Sequence, residues 1–79
     1  VSNVTDTTFD VAGETITVTG TTVVDNSIIE DARGVESEND ETISDITDKT
    51  LAELLPNGLT VEVVVDRTNG IVAISIEDR

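Results

Sequence analysis

The run LTVEVVVDRTNGIVAISIED, residues 59–78, constrains the fold more than any other segment of the chain. Apolar β-branched residues recur at alternate positions on both sides of Asn69-Gly70, a pattern typical of two antiparallel strands. A two-residue type I′ turn at Asn69-Gly70 fixes the register of this hairpin. The predicted pairs are Val65 with Ile74, Val63 with Ile76, and Arg67 with Val72, and the predicted apolar face consists of Val61, Val63, Val65, Val72, Ile74 and Ile76.

The N-terminal stretch TTFDVAGETITVTG predicts a second hairpin, which turns at Ala12-Gly13. This turn places Phe9 opposite Ile16 and Thr7 opposite Val18. Phe9 is the only aromatic residue, and at a strand position we interpret it as a core side chain. Gly20 then interrupts the strand as a bulge or bend that lets the next two valines, at 23 and 24, continue beside it.

The segment TISDITDKTLAELLPNG predicts one amphipathic helix from about Ile43 to Leu55, because its apolar residues fall on one half of the helical circumference. Thr42 is a candidate N-cap. A shorter helix would start at Asp48 or at Thr50, and Thr50 and Glu53 form a capping box. Pro56 and the Asn-Gly pair after it end the helix.

The stretch EDARGVESENDE lies within a predicted acidic connecting loop, about residues 26–42, in which Arg33 is the internal counter-charge. Glu36, Glu38 and Asp40 alternate as the first ligands of a calcium loop do. A calcium loop that starts at residue 36 requires glycine at 41 and a bidentate glutamate at 47, and the chain has Glu and Thr there. We therefore predict no specific metal site, and these three acids are only weak candidates.

These elements together predict a single small α+β domain over residues 1–79. Two antiparallel β-hairpins form one small sheet or a partly open barrel, and the helix at about 43–55 packs on it. The chain has neither cysteine nor histidine, which excludes disulfides, thiol nucleophiles and Ser-His-Asp chemistry. With one aromatic residue and no glycine-rich phosphate loop either, we expect a protein that is not an enzyme and uses no cofactor.

The charge of the chain further restricts its partners. Seventeen acidic residues and four basic ones give a net charge of −13, which repels nucleic-acid phosphates and anionic membranes. The longest apolar run, Ile71 to Ile74, is far shorter than the ~20 residues that cross a bilayer. We expect neither nucleic-acid binding nor membrane insertion.

Abundant acids, scarce lysine and many threonines and valines resemble the composition of proteins from halophilic archaea and their viruses. An ordinary acidic mesophilic domain is the alternative interpretation. The stretch VAGETITVTG also resembles the opening strands of immunoglobulin-like modules in archaeal surface proteins, and Asn3-Val4-Thr5 is a glycosylation sequon. The rest of the chain departs from that family, because a seven-stranded sandwich needs about 100 residues and contains no helix.

From these observations we expect a structural or assembly protein of halophilic type, in specific form a small virion component such as a capsid-decorating, turret or tail protein. Its partners would be protein subunits in a homo-oligomer or larger assembly, on a virion or cell surface at high salt. The alternatives are an extracellular or cell-surface β-rich module and an acidic cytoplasmic adaptor that binds a basic partner. The predicted contact residues are Val61, Val63, Val65, Ile74, Ile76, Val1 and Val4.

Overall fold

The sheet of this protein is organised around its C-terminal strand, as seen in a computed structural model that describes residues 1–79. The sheet is mixed, six-stranded and open, and two α-helices accompany it, so the α+β class is confirmed and the partly open barrel is not. The strands are β1 (Thr8–Val11), β2 (Glu14–Thr17), β3 (Val23–Val24), β4 (Glu41–Thr42), β5 (Val61–Asp66) and β6 (Val72–Asp78), and the helices are α1 (Asn26–Arg33) and α2 (Leu51–Leu54).

Strand β6 has a different kind of neighbour on each edge. On one edge it pairs antiparallel with β5 along almost its whole length. On the other edge two short strands follow one another parallel to β6, first β2 and then β3. Strand β1 pairs with the outer side of β2, and β4 pairs with the outer side of β3. The sheet is therefore mixed, whereas two antiparallel hairpins alone were predicted.

The N-terminal hairpin has the predicted register, with Phe9 opposite Ile16. Its turn residues, Ala12 and Gly13, have φ values of 51° and 79°, and a type I′ turn requires positive φ at both central positions. Phe9 is fully buried, which confirms its interpretation as a core residue.

The C-terminal hairpin has the predicted register only in its half distant from the turn, where Val63 pairs with Ile76. Near the turn the register shifts by one, so Val65 faces Ala73 instead of Ile74, and Asp66 instead of Arg67 faces Val72. The shift is a β-bulge that inverts the alternation of β6, because the extra residue turns the strand over. Ala73 is consequently buried and Ile74 is 51% exposed, so the predicted apolar face was wrong at Ile74.

The turn of this hairpin also differs from the prediction. Residues 67–71 separate the paired Asp66 and Val72, so the loop is longer than the predicted two-residue turn. Gly70 has a φ of 91°, but Asn69 is not in the positive-φ region, which a type I′ turn would require. The Asp66 side chain instead accepts hydrogen bonds from the backbone N–H and the hydroxyl of Thr68, at 2.9 and 2.6 Å. This local bonding competes with the tight turn and lowers the pKa of Asp66.

The interruption between β2 and β3 is bridged by Thr22, the one buried polar residue. Its hydroxyl donates to the carbonyl oxygen of Ala73 on β6 at 2.7 Å and accepts from the N–H of Thr19 at 3.1 Å. The Thr22 hydroxyl thus provides hydrogen-bond partners for the Ala73 carbonyl and the Thr19 N–H in the gap between β2 and β3, where no strand pairs with that edge of β6. Gly20 lies in this interruption, and Val23 and Val24 then form β3, which pairs in parallel with β6, a pairing that was not predicted.

Helix α1 lies within the predicted acidic loop at 26–42, so that prediction was wrong for the first half of the segment. Asp25 is the N-cap, since its carboxylate accepts from the N–H of Ser27, and Gly34 ends the helix in the left-handed region with its N–H bonded to the carbonyl of Glu30. Ile28 and Ile29 are buried in the core. These two apolar residues between an aspartate and a glycine are a helix signal that the acidic composition masked.

The continuous helix predicted at about 43–55 is absent. A 3₁₀ turn at Ile43–Asp45 is followed by extended backbone at Ile46, and α2 covers only Leu51–Leu54. The shorter alternative is confirmed, because Thr50 and Glu53 form the capping box. Threonine and aspartate occupy three of the five positions between the two pieces, Ile46 to Thr50, and these residues bond locally in ways that favour turns and caps over helix interiors.

The two helices and the 3₁₀ region supply one side of the core and the sheet supplies the other. All three leucines of the LAELL stretch are buried, so they pack in the core. No helix in the protein is long and apolar enough to span a bilayer. The buried apolar residues are Phe9, Ile16, Val18, Val24, Ile28, Ile29, Ile46, Leu51, Leu54, Leu55, Ala73 and Ile76.

Candidate interaction surface

Strand β5 is an edge strand, since β6 is the only strand it pairs with. The carbonyl oxygen of Thr60 accepts a hydrogen bond from the N–H of Arg79 at 3.1 Å, so the backbone of Thr60 faces the β6 side. Successive residues of a strand direct their N–H and C=O groups to opposite edges. The backbone groups of Val61, Val63 and Val65 therefore point away from β6, toward the free edge.

The two faces of β5 differ in polarity. Val61, Val63 and Val65 are half-buried toward the core, whereas Glu62, Val64 and Asp66 are exposed on the opposite face. The alternation in VEVVVD predicts that separation, although Val64 was not among the predicted contact residues.

The exposed face of β5 carries an apolar patch, formed by Val64 and Ile74. Each of these side chains is 51% exposed. Val64 pairs with Ser75, the neighbour of Ile74, so the two apolar side chains lie on adjacent strands. The bulge is what turns Ile74 outward, and no feature of the alternating sequence indicates it. The apolar patch and the free edge belong to the same hairpin.

An apolar groove of about 210 Å³ separates β5 from the N-terminal hairpin. Arg67 closes its rim by donating two hydrogen bonds to the Glu14 carboxylate, at 2.9 and 3.0 Å. These bonds and the charge of Arg67 hold the pKa of Glu14 below its usual range. The apolar lining consists of Val11, Ala12, Ile16, Val61, Val63 and Val65.

The N-terminal segment links β1 to the residues that lead into β5. Ser2 exchanges two backbone hydrogen bonds with Asp10, at 2.8 and 2.9 Å. Val1 accepts from the N–H of Gly58 at 2.9 Å, and its amino group donates to the carbonyl of Leu59 at 2.7 Å. Val1 and Ser2 therefore bond to two other parts of the protein, β1 and the residues just before β5.

The predicted contact residues fall into three environments. Ile74 is exposed, and the β5 valines are half-buried beside the free edge. Val1 and Val4 are half-buried and pack against the core. Ile76 is fully buried, so it cannot contact another molecule and is removed from the predicted set. It faces the core because it pairs with the core-facing Val63, in the half of the hairpin that has the predicted register.

The acidic residues after α1 serve local structure. A carboxylate oxygen of Asp40 accepts from the backbone N–H of Asn26 at 2.9 Å. The other two weak metal candidates, Glu36 and Glu38, are exposed, and nowhere do three or more acidic side chains gather in an arrangement that could hold a metal ion.

Arg33 connects three parts of the chain near the end of α1. Its guanidinium bonds the carboxylates of Glu41 at 2.8 Å and Asp48 at 2.9 Å. The hydrogen bonds from Arg33 lower the pKa of Asp48, and the two carboxylates raise the pKa of Arg33. Arg33 therefore ties the C-terminal end of α1 to β4 and to the segment before α2.

No family model matches the chain, and neither a curated protein nor a solved structure matches it.

Proposed function

We propose that this protein is a non-enzymatic structural protein that assembles with other protein subunits through the free edge of β5. The observation that carries the proposal is the row of unpaired backbone groups at Val61, Val63 and Val65, next to the exposed apolar pair Val64 and Ile74. An edge strand with unpaired N–H and C=O groups is a template for an additional strand. Exposed apolar side chains beside it add area that a partner can bury.

The charges on β5 oppose such pairing in dilute buffer. Glu62 and Asp66 lie on the exposed face of the strand, and charged residues on an edge strand are a common device against unwanted association. Repulsion between exposed carboxylates is screened over about 3 Å at molar salt, compared with about 10 Å at 0.1 M. The same edge is therefore better able to associate as ionic strength rises.

All four basic side chains already form ion pairs within the protein. Arg33 pairs with Glu41 and Asp48, and the other three pairs are Lys49 with Glu53, Arg67 with Glu14, and Arg79 with Glu62. The excess negative charge of −13 has no remaining internal partner and depends on dissolved cations. This distribution supports a high-salt setting, and with the acid-rich, lysine-poor composition it supports the specific proposal of a small virion component from a halophilic source.

The proposal is tested by measuring molar mass and thermal unfolding from low salt to about 2 M KCl, where screening is short-ranged. We expect the melting temperature to rise with salt and a concentration-dependent oligomer to appear in light scattering. A monomer at every salt and protein concentration would overturn the assembly proposal. A melting temperature that is insensitive to KCl would overturn the high-salt proposal.

A further inference from the structure

We infer that the free edge of β5 pairs with β5 of a second copy, antiparallel, about a twofold axis at Val63. This inference deepens the proposed function and rests on it. It specifies the partner as the same chain and the contact as one register of one strand, both of which follow from backbone direction and charge placement on β5.

Backbone direction restricts the alignment first. Val61, Val63 and Val65 direct their N–H and C=O groups to the free edge, whereas Glu62 and Val64 direct theirs to β6. A twofold antiparallel pair must therefore place these valines opposite one another. Three alignments within the strand pair two or more of these valines, and they are centred on Glu62, Val63 and Val64. The alignment centred on Glu62 leaves Val65 opposite residue 59, before β5, and puts Glu62 directly opposite its own counterpart, where like charges are destabilising.

The alignment centred on Val63 uses more of the edge. It places Val63 opposite its own counterpart and Val61 opposite Val65 on both sides of the axis, so every outward-pointing valine exchanges hydrogen bonds. The alignment centred on Val64 pairs Val63 with Val65 but leaves Val61 opposite residue 67, beyond the end of β5. The first alignment therefore satisfies more of the free backbone groups.

Charge placement favours the same alignment. The alignment centred on Val64 puts Glu62 directly opposite the second copy's Asp66, twice, and like charges in that position are destabilising. The alignment centred on Val63 puts Glu62 opposite the second copy's Val64 instead. It also puts Asp66 opposite the second copy's Thr60, in the cross-strand row that contains Arg79. Each Asp66 then shares a row with Arg79, which within its own copy pairs with Glu62 at 3.4 Å.

The pairing also covers apolar surface. Residues directly opposite each other in an antiparallel pair lie on the same face of the sheet. The half-buried valines of the two copies would therefore form one continuous stripe on the core side, next to both grooves. The remaining cost is repulsion between two chains of charge −13, so the dimer requires salt.

The absence of cysteine makes the register directly testable by single-cysteine cross-linking. In the inferred register, the Cα atoms at position 63 of the two copies are about 5.5 Å apart, as in a hydrogen-bonded antiparallel pair, and a disulfide spans that distance. Under oxidising conditions in about 2 M KCl, where screening is short-ranged, we expect Val63→Cys to form a covalent dimer. The matched control, Val64→Cys, should remain uncoupled, because position 64 faces position 62 of the second copy.

A second variant separates edge pairing from folding. Val63→Pro removes an N–H that points to the free edge and leaves the bonds between β5 and β6 in place, so the monomer should fold. Two intermolecular hydrogen bonds per dimer are lost, and we expect the dimer dissociation constant to rise about tenfold or more. Val63→Thr, which keeps the N–H and a β-branched side chain, is the control and should dimerise like the unmodified protein.

The outcomes distinguish this inference from the proposed function. Coupling of Val63→Cys, together with weaker association of Val63→Pro, supports the inference. Coupling of Val64→Cys in its place overturns the register. If Val63→Pro associates like the unmodified protein, the β5 pair is overturned while assembly by another surface stands. If the unmodified protein remains monomeric in high salt, both fail. Should Val63→Pro not fold, the two cysteine variants alone decide the register.

Discussion

The two edges of β6 are paired by different physical means. On the β5 edge, one continuous antiparallel strand arrives through a local hairpin, and the pairing spans Val61 to Asp66. On the opposite edge, two short parallel strands arrive from the distant N-terminal part of the chain. Side-chain alternation accounts for the first edge in its half distant from the turn, up to the bulge. The second edge depends on particular side chains that close the gaps between its pieces.

Two residues complete the interrupted edge. Thr22 bonds the carbonyl of Ala73 where β2 has ended and β3 has not begun. Asp25 follows β3, and its N–H donates to the carbonyl of Ile76 at 2.9 Å while its carboxylate accepts from the N–H of Asp78 at 3.1 Å. One hydroxyl and one carboxylate thus add to the backbone hydrogen bonds of this long-range parallel pairing. Each can be removed by substitution without changing β5.

The largest expected effect concerns the bulge in β6, which separates the continuous edge into two registers. Ile76→Ala removes a fully buried side chain and should lower the free energy of unfolding by about 2–5 kcal/mol. Ile74→Ala is the matched control, because Ile74 is exposed and should change stability by less than about 0.5 kcal/mol. Both are measured by urea denaturation in high salt. Equal losses of unfolding free energy at the two positions would indicate that both side chains are buried, as in a hairpin without the bulge, and would contradict the bulge.

The second largest effect is expected at Thr22, which lies between β2 and β3 on the interrupted edge of β6. Thr22→Val preserves the shape of the side chain but leaves the carbonyl of Ala73 and the N–H of Thr19 without their partner. A buried unsatisfied group costs about 1–3 kcal/mol, which we expect as the loss of unfolding free energy. Thr22→Ser keeps the hydroxyl and loses one methyl group, so it should cost less. If the valine variant were as stable as the original, the hydroxyl would have no role in joining the two strands.

The contrast between the edges also explains what the sequence could predict. The N-terminal hairpin register and the distant half of the C-terminal hairpin follow from alternation, because a register error of one would bury polar residues. The bulge near Ala73 has no such signature, since IVAISIE is compatible with either face being buried. The parallel pairing of β3 with β6 joins residues far apart in the sequence, and a two-residue strand is too short to show a period.

Helix α1 was missed for a different reason. Asp25 and Gly34 are cap residues at the correct spacing, but the acidic residues around them favoured a solvated loop. For the candidate surface, alternation identified the half-buried valines of β5 and the core-facing position of Ile76, whereas the exposure of Ile74 depends on the bulge. A side-chain pattern alone therefore locates the edge strand but not the surface beside it.

A smaller effect is expected at Asp25, which follows β3 at the end of the interrupted edge of β6. Asp25→Ala removes the cap of α1 and the bond to Asp78, and should lower the free energy of unfolding by about 1 kcal/mol. Asp25→Asn, which keeps one acceptor oxygen, is the control and should lose less. Ile76, which pairs with β3 on the same edge, should remain buried in both variants. Equal stability of the alanine variant and the original would contradict the capping role.

The contribution of Asp25 should also depend on pH. Burial alone would raise the pKa of its carboxyl, but hydrogen bonds from the N–H of Asp78 and from Ser27 together lower the pKa below its ordinary value. A carboxyl whose pKa is lower in the folded state stabilises the fold above its unfolded pKa of about 3.9, and that stabilisation is lost as pH falls through the folded pKa. The advantage over Asp25→Asn should therefore be present above about pH 5 and shrink below about pH 4. An advantage that is constant from pH 7 to about pH 3 would show that the charge of Asp25 is not involved.

The smallest expected effect compares the turns of the two hairpins. Ala12 has a positive φ of 51°, whereas Asn69, whose side chain tolerates that region better, does not occupy it. Ala12→Asn should therefore relieve strain in the β1–β2 turn and raise the free energy of unfolding by about 0.5–1 kcal/mol, without the entropy cost that glycine carries. Asn69→Ala is the matched control and should change stability by less than about 0.5 kcal/mol, since it lies exposed in a loop with no positive φ to lose. Thermal melts in high salt measure both, and a gain at position 12 together with a loss of more than about 1 kcal/mol at position 69 would mean that the second hairpin does use the tight Asn-Gly turn.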